Sequence, residues 1–255
     1  MSRPTERFSA RAENYRRHRP GYPAAAIDLL AAQCGLTAQS AVADVGSGTG
    51  ILSQQLLGRG ALVFGIEPNG AMRAAAEASL GGHPRFHSVA AAAEATTLPS
   101  ESVDLWVAAQ AFHWFDALAA RGEALRVLRS RGSGAMLWNE HPPEGNAFLR
   151  DYDQLLRRHA AEYAATVARR IDEGRMRDFF GGAMERATFP NQQTFDFVGL
   201  EGRLLSSSYA PQPGHRQYAP MMQELRALFD RHQRNGQIVF PYVTLVYFRQ
   251  LKPVA

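Results

Sequence analysis

The sequence predicts an α/β fold: a mainly parallel sheet with helices on both faces. Three observations predict it. Short apolar runs alternate with amphipathic segments between residues 41 and 139. The first run empties into a glycine-rich loop, and a helical pattern starts directly behind that loop. No repeat of 20–50 residues appears, which excludes a solenoid or propeller. Strands that alternate with helices imply right-handed crossovers and a sheet covered on both sides.

The elements follow in order. Over residues 7–18, Phe8, Ala12 and Tyr15 recur at helical spacing, with Arg19 next on the same face. Arg19-Pro20-Gly21-Tyr22-Pro23 breaks the chain. A second helix is expected over about 23–34. Ala41 to Val45 is the first strand, and the helix after the glycines carries Ile51, Leu52, Leu56 and Leu57. Ala61 to Ile66 is the second strand, closed by Glu67-Pro68. Residues 69–79 read as a helix, Arg85 to Val89 as the third strand and Val103 to Ala109 as the fourth. A helix over 116–129 turns Leu118, Leu125 and Leu128 inward, and Ala135 to Asn139 is the fifth strand.

The pattern changes after Asn139. Residues 146–180 are helical but polar, with Leu149, Tyr152 and Leu155 on one face. Residues 184–197 read as a strand interrupted at Pro190-Asn191. Helices are expected over 198–207 and 217–233, and Val239 to Phe248 is a last apolar strand. The expected organisation is therefore one domain over 1–255. It comprises a helical arm (1–36), a core (37–140), a helical insertion that caps the ligand edge of the sheet (141–183) and a segment that completes the sheet (184–255).

Composition narrows the function classes. With 255 residues, 45% hydrophobic and 20% charged, the chain is large and apolar enough for a buried core. No apolar run is long enough to span a bilayer, and no apolar stretch follows the charged start, so neither a membrane helix nor a secretory signal is expected. Cys34 is the only cysteine, which excludes a disulfide or a cysteine-based metal site within one chain. A cytoplasmic location is the default expectation. The histidines fall into no metal-ligand spacing, so no metal is expected. The net charge is +4, but residues 1–20 hold six arginines against two glutamates, and the remainder sums to zero. Basicity confined to one arm is a narrow footprint for a nucleic-acid binder.

The informative run is Asp44-Val45-Gly46-Ser47-Gly48-Thr49-Gly50. In an open α/β sheet, ligands sit outside the carboxyl ends of the strands. Glycines there let the chain turn sharply and let a ligand approach the main chain. A dinucleotide fingerprint would place its third glycine at 51, where this chain has Ile. Glu67 ends the next strand, where a carboxylate can accept both hydroxyls of a ribose.

With these motifs in order, the chain resembles class I S-adenosylmethionine-dependent methyltransferases. It looks like the small-molecule type that resembles the trans-aconitate and ubiquinone/menaquinone-pathway enzymes. The resemblance implies a Rossmann-like seven-stranded, mainly parallel sheet whose last strand is antiparallel. It implies S-adenosyl-L-methionine as methyl donor and S-adenosyl-L-homocysteine as product. Asp44, Gly46, Ser47, Gly48, Thr49 and Gly50 match the loop at the methionine part, and Glu67 matches the ribose acid. Pro68 and Met72 fall beside the adenosine, and Ala93-Glu94 resembles the adenine-contact segment. Gln110-Ala111-Phe112-His113-Trp114-Phe115 resembles the motif after the fourth strand. Tyr15 and Arg19 are similar to an arm that closes over the donor, with Arg19 facing its carboxylate. Arg129-Ser130-Arg131-Gly132 departs from the family's basic residue, Pro, Gly and Gly, and puts the geometry of that turn in doubt.

The methyl group of such a donor is already activated, so the protein must chiefly align the reactants. His113 is the candidate general base, and its loss is expected to slow turnover without abolishing donor binding. The plainer alternative is a structural hydrogen bond over Trp114. Phe112, Trp114 and Trp138 are candidate walls of an apolar acceptor pocket, or else core, and Tyr209 is expected to reach that pocket. The expected function is methyl transfer to a small molecule. The rivals are RNA or protein methylation by the same fold, a nicotinamide-dependent oxidoreductase, and a non-catalytic module that keeps the donor site.

Overall fold

The computed structural model describes residues 12–142, 145–168 and 171–253. The predicted position of Phe8 lies outside these residues. Seven strands form one sheet: β1 Ala41–Val45, β2 Leu62–Ile66, β3 Phe86–Val89, β4 Val103–Ala109, β5 Leu128–Glu140, β6 Glu185–Phe195 and β7 Ile238–Gln250. Their order is β3-β2-β1-β4-β5-β7-β6. The pairs from β3 to β5 are parallel, and β7 runs antiparallel to both β5 and β6.

Ten helices are described: α1 Ala12–His18, α2 Ala24–Cys34, α3 Ile51–Gly58, α4 Gly70–Leu80, α5 Ala117–Val127, α6 Ala147–His159, α7 Tyr163–Ala168, α8 Glu173–Phe180, α9 Phe197–Leu205 and α10 Tyr218–His232. Side-chain caps set several of their starts. Asn69 accepts the N–H groups of Ala71 and Met72 ahead of α4, and Asp116 accepts those of Leu118 and Ala119 ahead of α5. Both residues therefore stand just outside helices that the sequence pattern would start on them.

Alternation along the strands divides the core. In β1, Ala41, Ala43 and Val45 join Trp106, Met136 and Trp138 on one face, under α5 and α8. Val42 points the other way, with Leu105, Val107, Ala135 and Leu137 beneath α2, α3 and α4. This two-residue period places both sides of every central strand in a dry layer. A third cluster joins α6, α9 and α10 to the near ends of β6 and β7 through Tyr152, Leu155, Leu200, Leu225 and Phe240. The polar helices between β5 and β6 thus divide. Helix α6 joins the third cluster, and α8 returns to the sheet against α5.

Two expectations are corrected. β6 is not interrupted at Pro190-Asn191, because pairing with β7 continues through Pro190↔Val243 and Asn191↔Tyr242. β6 is the edge strand, so the missing N–H of Pro190 deprives no further neighbour of a bond. The helix over 116–129 stops at Val127, and β5 begins at Leu128. The divergent Arg129–Gly132 run lies within β5 as a bulge. Val103 pairs with Leu128, but Leu105 pairs with Ser133, and Arg131 takes φ +65°. Cys34 is buried in the second layer, and burial pushes its thiol up to about 12.

Candidate active site

The strand order reverses beside β1: the chain leaves it for β2 on one side and later for β4 on the other. Such a switch point leaves a crevice at the carboxyl ends of the strands. A cavity occupies that crevice. Its floor comes from Asp44 and Gly46–Thr49 after β1, Glu67–Asn69 after β2, Ala109–Ala111 after β4, and Asn139 near the end of β5. Its far wall comes from Tyr242 of β7 and Arg203 of α9. Tyr15, Arg19, Pro20 and Tyr22 close it from the arm side.

The loop is held in place by its backbone. The N–H groups of Gly46 and Ser47 both donate to the carbonyl of Ile66, and Gly50 N–H donates to the carbonyl of Ser47. Gly46, Gly48 and Gly50 all have positive φ, at +69°, +57° and +82°. They serve different ends. A Cβ on Gly46 would stand 2.5 Å from the Ala111 Cβ, and one on Gly50 would stand 2.7 Å from the Leu80 Cδ1. A Cβ on Gly48 would meet only open space, so there the main chain faces the cavity unobstructed.

The two acids are oriented by short bonds. Glu67 Oε2 accepts Gly48 N–H at 3.0 Å, and its Oε1 accepts Asn69 N–H at 2.8 Å. Burial raises the Glu67 carboxyl above its ordinary value, and these two N–H groups pull it back in part. Asp44 is fully buried, and Ser53 Oγ donates to its Oδ2 at 2.6 Å. Its Oδ1, like Thr49 Oγ1, has no hydrogen-bond partner among the described residues. Burial pushes Asp44 up to about 7.

These features fit the methyl donor. Glu67 keeps lone pairs for ribose hydroxyls. Gly48 leaves the main chain open to a ligand, and Asp44 Oδ1 is a buried acceptor in need of a donor such as an ammonium or hydroxyl. Gln110 adds backbone strain at the same place. It holds φ +58° while its Nε2 donates to the Asn139 carbonyl at 3.1 Å.

The predicted residues divide sharply. Tyr15, Arg19, Asp44, Gly46, Ser47, Gly48, Thr49, Glu67, Pro68, Met72, Gln110 and Trp114 all line this cavity. Gly50 stands behind it as the first turn of α3 begins. Ala93 is core, and Glu94 accepts the N–H of Asp116, so neither faces the cavity. Phe112 and Trp138 are corrected from pocket wall to core. Phe112 packs edge-on against Phe115 and Phe179, and Trp138 does so against Tyr247. The expected placement of His113 is corrected too. Its ring lies against Trp114 with centroids 4.7 Å apart, its carbonyl accepts a bond from Arg175, and it does not line the cavity. Tyr209 meets Tyr163 and lines a separate surface depression with His159 and His215.

Sequence reasoning missed Asn139, Arg203 and Tyr242. One signal was present. Arg203 lies between Leu200 and Leu204 on the buried face of α9, where an arginine interrupts an apolar stripe.

Among the described residues, no helix is long and apolar enough to cross a membrane, and no group of three or more His, Cys, Asp or Glu side chains could hold a metal.

The comparisons with known proteins agree with this architecture. The methyltransferase-domain family matches residues 43–136. An uncharacterized methyltransferase of Mycobacterium tuberculosis is 34% identical over 151 residues, which is 59% of this chain and 59% of that protein. The match thus spans under two thirds of that relative's length. An uncharacterized methyltransferase-like protein of Schizosaccharomyces pombe is 23% identical over 252 residues, 96% of each chain. Among solved structures, a proposed type II methyltransferase from Anaeromyxobacter dehalogenans superimposes with TM-score 0.61 at 23% identity, covering 92% of this chain and 99% of that one. A proposed methyltransferase from an antibiotic biosynthesis pathway of Anabaena variabilis gives 0.58 at 22%, covering 86% and 96%. None of these names specifies a trans-aconitate or quinone acceptor. The methyltransferase-domain match thus runs from β1 into β5, and the fold is shared with solved proteins described as proposed methyltransferases.

Proposed function

We propose that the protein transfers a methyl group from S-adenosylmethionine to a small-molecule acceptor. One observation carries the reading: the open main chain at Gly48, the Glu67 carboxylate and the buried acceptor Asp44 Oδ1 converge on a single cavity. When bound, S-adenosylmethionine supplies a methyl on a sulfonium, which leaves as the neutral thioether S-adenosylhomocysteine. The protein's work is to hold and align. Glu67 accepts the ribose hydroxyls, the 46–50 loop lies along the methionine part, and Met72 and Pro68 flank the nucleoside. Positioning of this kind is worth about 7–11 kcal/mol for a well-oriented pair.

A small acceptor is favoured over RNA or protein because the cavity is walled on the arm side. Arg19 bridges to Ser206 and Ser207 just past α9, through Nε to Ser206 Oγ at 2.9 Å and through its terminal nitrogen to Ser207 Oγ at 3.2 Å. Tyr22 is tied to α3 by reciprocal bonds with Gln55 at 2.9 and 2.6 Å. A polymer segment would have to displace both ties. The test is calorimetric titration with S-adenosylmethionine and with S-adenosylhomocysteine, followed by a screen of metabolites for release of S-adenosylhomocysteine. Micromolar binding of either nucleoside is expected. Binding of neither would overturn the reading, and turnover on RNA with none on metabolites would overturn the small-molecule assignment.

A further inference from the structure

The far wall of the cavity contains a charge that the protein does not balance. Arg203 is 5% exposed. Its Nε donates to Tyr242 Oη at 2.9 Å and a terminal nitrogen donates to Ser207 Oγ at 3.3 Å. The guanidinium also lies over the rings of Phe240 and Tyr242, 5.3 and 5.8 Å from their centroids. No carboxylate pairs with it among the described residues. The titratable groups that face it are the hydroxyls of Tyr152, Tyr209 and Tyr242, with His18 on the adjoining helix. None of these groups is a carboxylate. A second cation stands close by, since Arg19 donates to the same Ser207 hydroxyl. A buried guanidinium without a counter-ion is costly, and arginine stays protonated at any working pH.

We propose that Arg203, with Tyr242, binds a carboxylate of the methyl acceptor. The inference rests on the reading of the cavity as a methyltransferase site and adds the acceptor's chemical class. Position in the sheet assigns the carboxylate to the acceptor rather than to the donor. Glu67 marks the nucleoside at the end of β2, and β7 lies four strands away, roughly 19 Å along the sheet edge at the usual strand spacing. The acceptor must approach from the β5 and β7 side, where Tyr242 and Arg203 stand. Trp114, Phe115 and Tyr22 line the same cavity and suit an apolar body on the same molecule.

The test uses the full chain loaded with S-adenosylhomocysteine. Benzoate, 4-hydroxybenzoate, hexanoate and adipate are titrated by calorimetry, each beside its uncharged amide. The wild-type protein is expected to bind at least one acid tenfold or more tightly than its amide. That preference should collapse in Arg203→Met and weaken in Tyr242→Phe. Equal binding of acids and amides, or binding of none, overturns the proposal, and so does preference for phenyl phosphate over benzoate. The wild-type comparison stands even where a variant fails to fold. A second arm measures S-adenosylhomocysteine against 5′-methylthioadenosine, which lacks the amino-acid carboxylate. Arg203→Met should leave both affinities within about threefold. A selective loss of S-adenosylhomocysteine would assign Arg203 to the donor and overturn the proposal. Failure of the wild type to bind S-adenosylhomocysteine at all would instead sink the methyltransferase reading itself.

Discussion

Glu67 Oε2 accepts the main-chain N–H of Gly48 at 3.0 Å, so the acid that ends β2 is tied to the loop that follows β1. With Asn69 N–H on the other oxygen, the carboxylate is oriented before any ligand arrives. Replacement by alanine removes both the proposed ribose acceptor and this brace. Hydrogen bonds to a charged group are worth about 1.5–3 kcal/mol each. Glu67→Ala should therefore weaken S-adenosylhomocysteine binding by about tenfold to a hundredfold in calorimetry. An unchanged affinity would refute the ribose assignment.

The glycines of the loop should separate in experiment. Gly46→Ala forces a Cβ to within 2.5 Å of Ala111 and 3.1 Å of Phe115, as well as holding φ +69°. It should lower stability by about 1–3 kcal/mol on overpacking alone. Gly48→Ala meets no atom, so its stability loss should stay near the backbone penalty of about 1–2 kcal/mol. Its methyl group would instead occupy the open side of the main chain. Urea unfolding should rank Gly46→Ala as the more damaging for stability, while Gly48→Ala should cost at least tenfold in nucleoside affinity. Wild-type affinity in Gly48→Ala would remove the loop from the binding site.

Asp44 makes stability depend on pH. Its folded pKa of about 7 lies above the unfolded value of about 3.9. Between those values the folded state holds a proton that the unfolded state has lost. Stability should therefore fall as pH rises from about 4 to 7 and level off above that, a change on the order of 4 kcal/mol. Asp44→Asn removes this titration. Urea midpoints should show the variant more stable than wild type at pH 8, with the gap closing towards pH 4. Parallel curves at both pH values would mean that Asp44 ionises freely in the fold.

Phe112 and His113 should behave in opposite ways. Phe112 is buried among Phe115 and Phe179, and truncation to alanine should cost about 3–5 kcal/mol in urea unfolding. His113 lies on Trp114 and off the cavity lining. His113→Ala should keep kcat within about threefold once an acceptor is in hand. A flat loss of kcat across pH 6–9 would mark a structural role, and a loss that follows imidazole titration would restore it as a base.

The legible part of the site was the part written locally in the chain. Asp44 to Gly50 and Glu67 each stand at the end of an apolar run, and strand ends in such a sheet face the ligand. Phe112, His113 and Trp138 also stand near strand ends, but rotation about the turn after β4 and the inward phase of β5 decide their direction. Those choices depend on α8, which packs under the sheet 60 residues later in sequence. The Arg203 and Tyr242 wall was not legible as a site because α9 and β7 meet only in three dimensions. Pro190 misled for a related reason: the proline suits an edge strand, and edge position follows from sheet order rather than from the run itself.

The position of β7 governs the order in which the molecule can be completed. It is the last of the described strands in sequence, yet it lies between β5 and β6. Until residues 238–250 leave the ribosome, β6 has no neighbour to bond and β5 shows a bare edge to other chains. Tyr242 arrives with that strand, so the Glu67 side of the crevice can assemble before its opposite wall closes. Ligand added to stalled nascent chains would meet half a site.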